Sequence, residues 1–174
     1  MVAAAFAAPA LLPEDDPADV VTRQTARVAV VFWGVAASSL LIGYRDWARA
    51  AWIVGAATFV VHAATAFDRV HGWSHVAAVR HVKAVSGFGS GLFVSYAFTL
   101  VWAADAAWWG LDRRGYESRR AWVDRVVHGF LAFVVFNATV VYETGFIRWT
   151  GAVLFVALAV LWWCRNLAST PASS

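Results

Sequence analysis

The residues of this chain best suited to chemistry gather in one stretch. From Asp68 to Lys83 the sequence carries His71, His75 and His81, and His62 stands just upstream. In a helix, positions three, four and seven apart share a face. Asp68, His71 and His75 have that spacing, and on a continuous helix they fall within an arc of about 60°. One carboxylate and two neutral imidazoles on one stripe form a three-ligand edge of the kind that holds zinc, iron or copper. A continuous helix turns His81 away from this edge, and Gly72 permits the bend that would return it. The same residues also suit a structural hydrogen-bond cluster, or histidines seated at a membrane interface without a special role.

Positioning these side chains falls to apolar helices. The chain has 174 residues, of which 61% are hydrophobic and only 14% charged. Ordinary soluble domains carry about 25% charged residues. This deficit excludes disorder, a coiled coil and a nucleic-acid-binding module. Eleven tryptophans, twelve phenylalanines and four tyrosines exceed what a small soluble fold can hide, so the class is an integral membrane protein. A single cysteine, Cys164, excludes an internal disulfide and a cysteine zinc site.

Five charge-free intervals approach the roughly 17–25 residues that a membrane helix needs: Val28–Tyr44, Ala50–Phe67, Ala84–Ala104, Val126–Tyr142 and Trp149–Cys164. The third is read as starting near Phe88 and running on to Trp109, which places Asp105 inside it. Strict alternation is absent, so the expected fold is an all-α bundle of about five transmembrane helices, with an interfacial helical segment between spans two and three. Residues 1–25, with Pro9, Pro13, Pro17 and an acidic run, read as an irregular lead. Residues 26–167 form one transmembrane domain, and 168–174 a polar tail. The glycines of Ser86–Gly91 lack the GxGxxG pattern and a preceding strand, and suit helix entry and close packing. Trp47, Trp108, Trp109, Trp122, Trp149, Trp162 and Trp163 mark span ends, whereas Trp33, Trp52 and Trp102 lie deeper. The arginines between Leu111 and Arg125 place that loop in the cytoplasm of a bacterial-type inner membrane, with the N-terminus outside and the C-terminus inside.

On this topology the histidines face outward. His62 lies about 7 Å below the outer end of span two, Asn137 at a similar depth in span four, and Tyr96 about 12 Å down span three. Glu143 and Tyr142 close span four at the outer surface. The expected metal set is therefore Asp68, His71 and His75, completed by His62 or Glu143 and by His81 if the segment bends. Tyr96, Asn137 and Tyr142 form the surrounding shell. At the opposite end, Asp105 in span three and His128 in span four match in depth on antiparallel neighbours, and Asp124 stands one turn before His128. They are expected within hydrogen-bonding reach, directly or through one water, as a helix-pinning pair or a fragment of a proton relay.

His71-x3-His75 resembles one fragment of the histidine boxes of integral-membrane desaturases and hydroxylases. The carboxylate-plus-two-histidines set is similar to that of copper-dependent membrane monooxygenases. Both resemblances imply a metal-dependent oxidoreductase, with copper or iron ahead of zinc. The alternatives are a non-catalytic subunit or scaffold of a larger membrane complex, and a b-type haem carrier using two axial histidines. Partners are the bilayer, and other membrane subunits or further copies of the chain.

Overall fold

The structure, a computed structural model, describes residues 17–86 and 91–168. They form α1 (Pro17–Ile42), α2 (Arg45–His71), α3 (His75–Ser86), α4 (Gly91–Leu111), α5 (Arg113–Glu117), α6 (Ala121–Phe136, continued by a π-helical turn, Asn137–Val141) and α7 (Gly145–Ala168). Five of these, α1, α2, α4, α6 with its π turn, and α7, are long and apolar enough to cross a membrane. The protein is a multi-pass helical membrane protein, with α3 as the extra segment between spans two and three.

The spans are longer than the charge-free intervals. Arg45 and Asp46 already belong to α2, and α2 continues through Asp68 and Arg69. Backbone hydrogen bonding carries a helix past the hydrocarbon edge, and charged side chains there reach outward to water. Residues 17–25 of the expected irregular lead are helical. Pro17 opens α1, where a proline costs no intrahelical bond, while residues 1–16 lie outside the described residues. The glycines at 87–90 and the tail at 169–174 also lie outside them.

Small residues set the packing. Ala26, Ala29 and Ala36 of α1 and Ala48, Ala51 and Ala56 of α2 are buried, so the two helices run close together. Against them stands an aromatic core. Phe59 meets Phe98 edge-on at 4.7 Å, and Trp102 lies 5.6 Å from Trp52 and 5.5 Å from Phe98. Trp33, Trp52 and Trp102 are buried as expected of the deeper tryptophans, and six of the seven at span ends are exposed. Trp109 differs: it is fully buried, because Tyr116 folds back from α5 and stacks on it at 4.5 Å. The last span, α7, is the least enclosed of the five.

Candidate functional site

The histidine segment does not continue as one helix. Gly72 (φ +51°) and Trp73 (φ +58°) both take left-handed conformations, and the backbone N–H of each returns to the Phe67 carbonyl. Gly72 has no Cβ to resist that conformation, so it ends α2 at His71 and does not merely bend it. Asp68, His71 and His75 therefore do not share one helical stripe, because His75 begins α3. The exposed Asp68 accepts a hydrogen bond from the Trp73 indole at 3.0 Å and lies 3.5 Å from Arg69. His75 Nδ1 lies 3.0 Å from the Tyr96 hydroxyl. The side chains of His71 and His81 lie outside the described residues. Among the described residues, no group of three or more histidine, cysteine, aspartate or glutamate side chains is placed to hold a metal ion.

The other residues expected at this end disperse. His62 is fully buried beside Phe59, with Nδ1 2.9 Å from the Thr22 carbonyl and 3.4 Å from Thr25 Oγ1. A carbonyl accepts only, so Nδ1 carries the proton and Nε2 is left as a buried acceptor without a partner. Asn137 donates to the Phe133 carbonyl of its own helix at 2.7 Å, where the π turn begins. Tyr142 is exposed. Glu143 is buried with Oε1 unpartnered. Burial raises its carboxyl above the ordinary value, against the opposing pull of the Thr144 N–H, Arg27 and Arg23.

At the arginine-rich end the structure assembles a far denser site. Asp105 accepts hydrogen bonds from Trp52 Nε1 and from the Tyr116 hydroxyl, each at 2.9 Å, and its other oxygen is ion-paired with Arg119. The Arg119 and Asp105 side chains are 2% and 5% exposed, so this is a buried pair. Arg119 also binds Asp124, lies 3.8 Å above the Tyr116 ring and reaches 5.7 Å from Trp108. Burial lowers the affinity of its guanidinium for a proton, but the bonds to Asp105 and Asp124 more than offset this. Burial, with the Asp105 carboxylate beside it, pushes the Tyr116 phenol well above its ordinary range.

No direct hydrogen bond joins Asp105 to His128. The His128 ring packs on Trp52 at 4.8 Å, with Nε2 3.9 Å from Asp124 Oδ1. Trp52, which donates to Asp105, is thus the link between the two residues expected to pair. Sequence reasoning missed Trp52, Tyr116 and Arg119. The readable signal was the carboxylate itself: a buried Asp105 demands a cation, and the nearest arginines lie on the loop that follows. The positioning is local. Asp112 Oδ1 accepts from the Gly115 N–H at 2.9 Å and starts α5, which swings Tyr116 and Arg119 back under α4. Arg49 fixes the end of α4 by donating to the carbonyls of Trp109 and Gly110 at 3.0 and 2.8 Å.

This network walls a cavity of about 700 Å³ among α1, α6 and α7. Its body is apolar, including Trp33, Leu41, Phe155 and Leu158. Its mouth carries Arg45, Glu117, Asp124, Arg125, His128 and Arg165. Arg125, Trp162 and Arg165 are exposed, so the cavity opens at the surface of the bundle. Fold and site together define a polytopic helical membrane protein with a buried ionic network beside an amphipathic cavity. Compared with protein families, curated proteins and solved structures, the chain matches none.

Proposed function

We propose that this protein binds a lipophilic small molecule in the cavity among α1, α6 and α7. The observation that supports this is the cavity's build, about 700 Å³ with an apolar body and a mouth of ionic side chains. Ligand sites fall between about 300 and 1,000 Å³ and combine apolar walls with a few polar groups that fix orientation. From Arg165 to Phe155 is ten residues of helix, so the cavity runs about 15 Å along the bundle axis. Two of its walls, Trp33 and Trp109, carry buried indole N–H groups without an acceptor. The arginine-rich end is read as cytoplasmic, following the positive-inside rule.

Displacement of doxyl-labelled hexadecanol, whose nitroxide quenches tryptophan emission, tests the site in phosphatidylcholine nanodiscs. Ala132 lines the cavity, and Ala132→Phe fills part of it. Excluding about three methylenes at about 0.8 kcal/mol each predicts roughly 50-fold weaker binding. Unchanged affinity in Ala132→Phe would refute this location.

A second reading keeps a transition metal, copper first and iron or zinc next, at the outer end, with oxidoreductase chemistry. It is favoured by His62, whose Nδ1 is held on a carbonyl while Nε2 stays free, the orientation in which imidazoles bind metals. A haem with His62 and His81 as its axial pair, the other cofactor expected of the sequence, is the variant of this reading. Metal-to-protein stoichiometry and the visible spectrum, for the parent and His62→Ala, test both. Absence of bound metal and haem from the supplemented parent would dismiss them.

A further inference from the structure

We infer that the ligand of this cavity is a single-chain amphiphile with an anionic head, a phosphate or carboxylate, held between Arg125 and Arg165. The inference rests on the cavity reading above and adds the chemistry of the head. Three arginines and two carboxylates line the mouth. Both carboxylates are engaged. Glu117 accepts from Arg113 at 3.0 Å and lies 4.0 Å from Arg45, while Asp124 is ion-paired with Arg119, which stands behind the wall. Arg119 shares its one charge between Asp105 and Asp124, and the mouth's three arginines exceed its two carboxylates by one.

Arg125 and Arg165 carry that excess. Arg125 donates from Nε to the Ala121 carbonyl at 3.3 Å, and Arg165 donates from Nη1 to the Leu40 carbonyl at 3.2 Å. Neither meets a carboxylate among the described residues. A guanidinium has five N–H donors, so most donors of both are free. Those carbonyl contacts hold the heads beside the cavity on α6 and α7, at the level where a chain inserted along the apolar walls would leave its head. The remaining polar group, His128, is turned to Trp52 and Asp124. A planar fork of donors at the end of an apolar slot recognises an oxyanion on a chain. The cavity lies within the range of a single small ligand, which favours one chain over a two-chain bilayer lipid.

The test compares hexadecyl phosphate with hexadecanol by displacement of the doxyl probe, in the parent, Arg125→Gln/Arg165→Gln, and Arg120→Gln. Arg120 is an exposed arginine outside the cavity lining and serves as the charge control. The expected preference for the phosphate is about tenfold in the parent, the scale of two partly screened ion contacts. It should vanish in the double variant and persist in the control. Equal binding of both probes by the parent overturns the anionic head and leaves the cavity reading standing. Failure of both to bind overturns the cavity reading itself. An equal loss in Arg120→Gln overturns the assignment to Arg125 and Arg165. Competition by inorganic phosphate alone at matched concentration would make this an ion site, and equal competition by phosphatidylglycerol would make the occupant a bilayer lipid. Either result refutes the single-chain amphiphile.

Discussion

Arg119→Met isolates the central contact of the ionic network. The variant keeps the side chain's apolar bulk and removes its charge, leaving Asp105 with hydrogen bonds from Trp52 and Tyr116 but no cation. Losing one partner of a buried ion pair costs about 3–5 kcal/mol, and the variant should lose that much. Asp124 adds little, because its side chain is 51% exposed and water replaces the arginine. Unfolding by SDS titration from mixed micelles, followed by tryptophan emission, measures the loss. Adding Asp105→Asn removes the stranded charge and should recover at least half of it, a coupling that a double-mutant cycle reads directly. A loss below about 1 kcal/mol, or additive single variants, would refute a buried clamp at this site.

Three further outcomes follow from the same geometry. A Cβ at Gly151 would stand 2.8 Å from Thr139 Cβ and Oγ1 and 3.0 Å from its carbonyl, so Gly151→Ala should cost about 1–3 kcal/mol in the same titration. Glu143 holds its proton to higher pH in the folded protein, so stability should fall as pH rises from its ordinary value of 4.5 through the raised one, and Glu143→Gln should flatten that slope. A cysteine at Ser118, in a Cys164→Ser background, should react with an impermeant maleimide only after the cells are opened; labelling of intact cells would reverse the orientation.

The spans were legible because membrane helices announce themselves by the absence of charge over about 20 residues. Their ends were not, since α2 carries Arg45, Asp46, Asp68 and Arg69 within its helical bounds. The depth match of Asp105 and His128 placed both in one cluster, but linear depth says nothing of what lies between two helices. There stands Trp52, from a third helix. Arg119 was hidden in plain sight. An arginine-rich loop reads as a topology signal, and only the five-residue turn of α5 shows that one of those arginines folds inward. Gly72 was read as permitting a bend, and the hydrogen bonds from Gly72 and Trp73 to Phe67 make it a stop instead.

The clamp and the cavity share Asp124 and Tyr116, which makes the charge at the cavity mouth depend on an arginine that does not line it. While Arg119 holds Asp124, it offsets part of that carboxylate's charge, and the free donors of Arg125 and Arg165 dominate. Without Arg119, the Asp124 carboxylate turns its full charge to the cavity, next to Arg125 in sequence and 3.9 Å from His128. The Asp105→Asn/Arg119→Met variant, stable enough to purify on the reasoning above, should therefore bind hexadecanol like the parent. The variant removes one charge of each sign, but only Arg119 touches Asp124, so its preference for hexadecyl phosphate should fall by about twofold, less than one screened ion contact. Loss of hexadecanol binding would instead mean that the network shapes the apolar walls. An unchanged preference would mean that Asp124 does not act on the head at all.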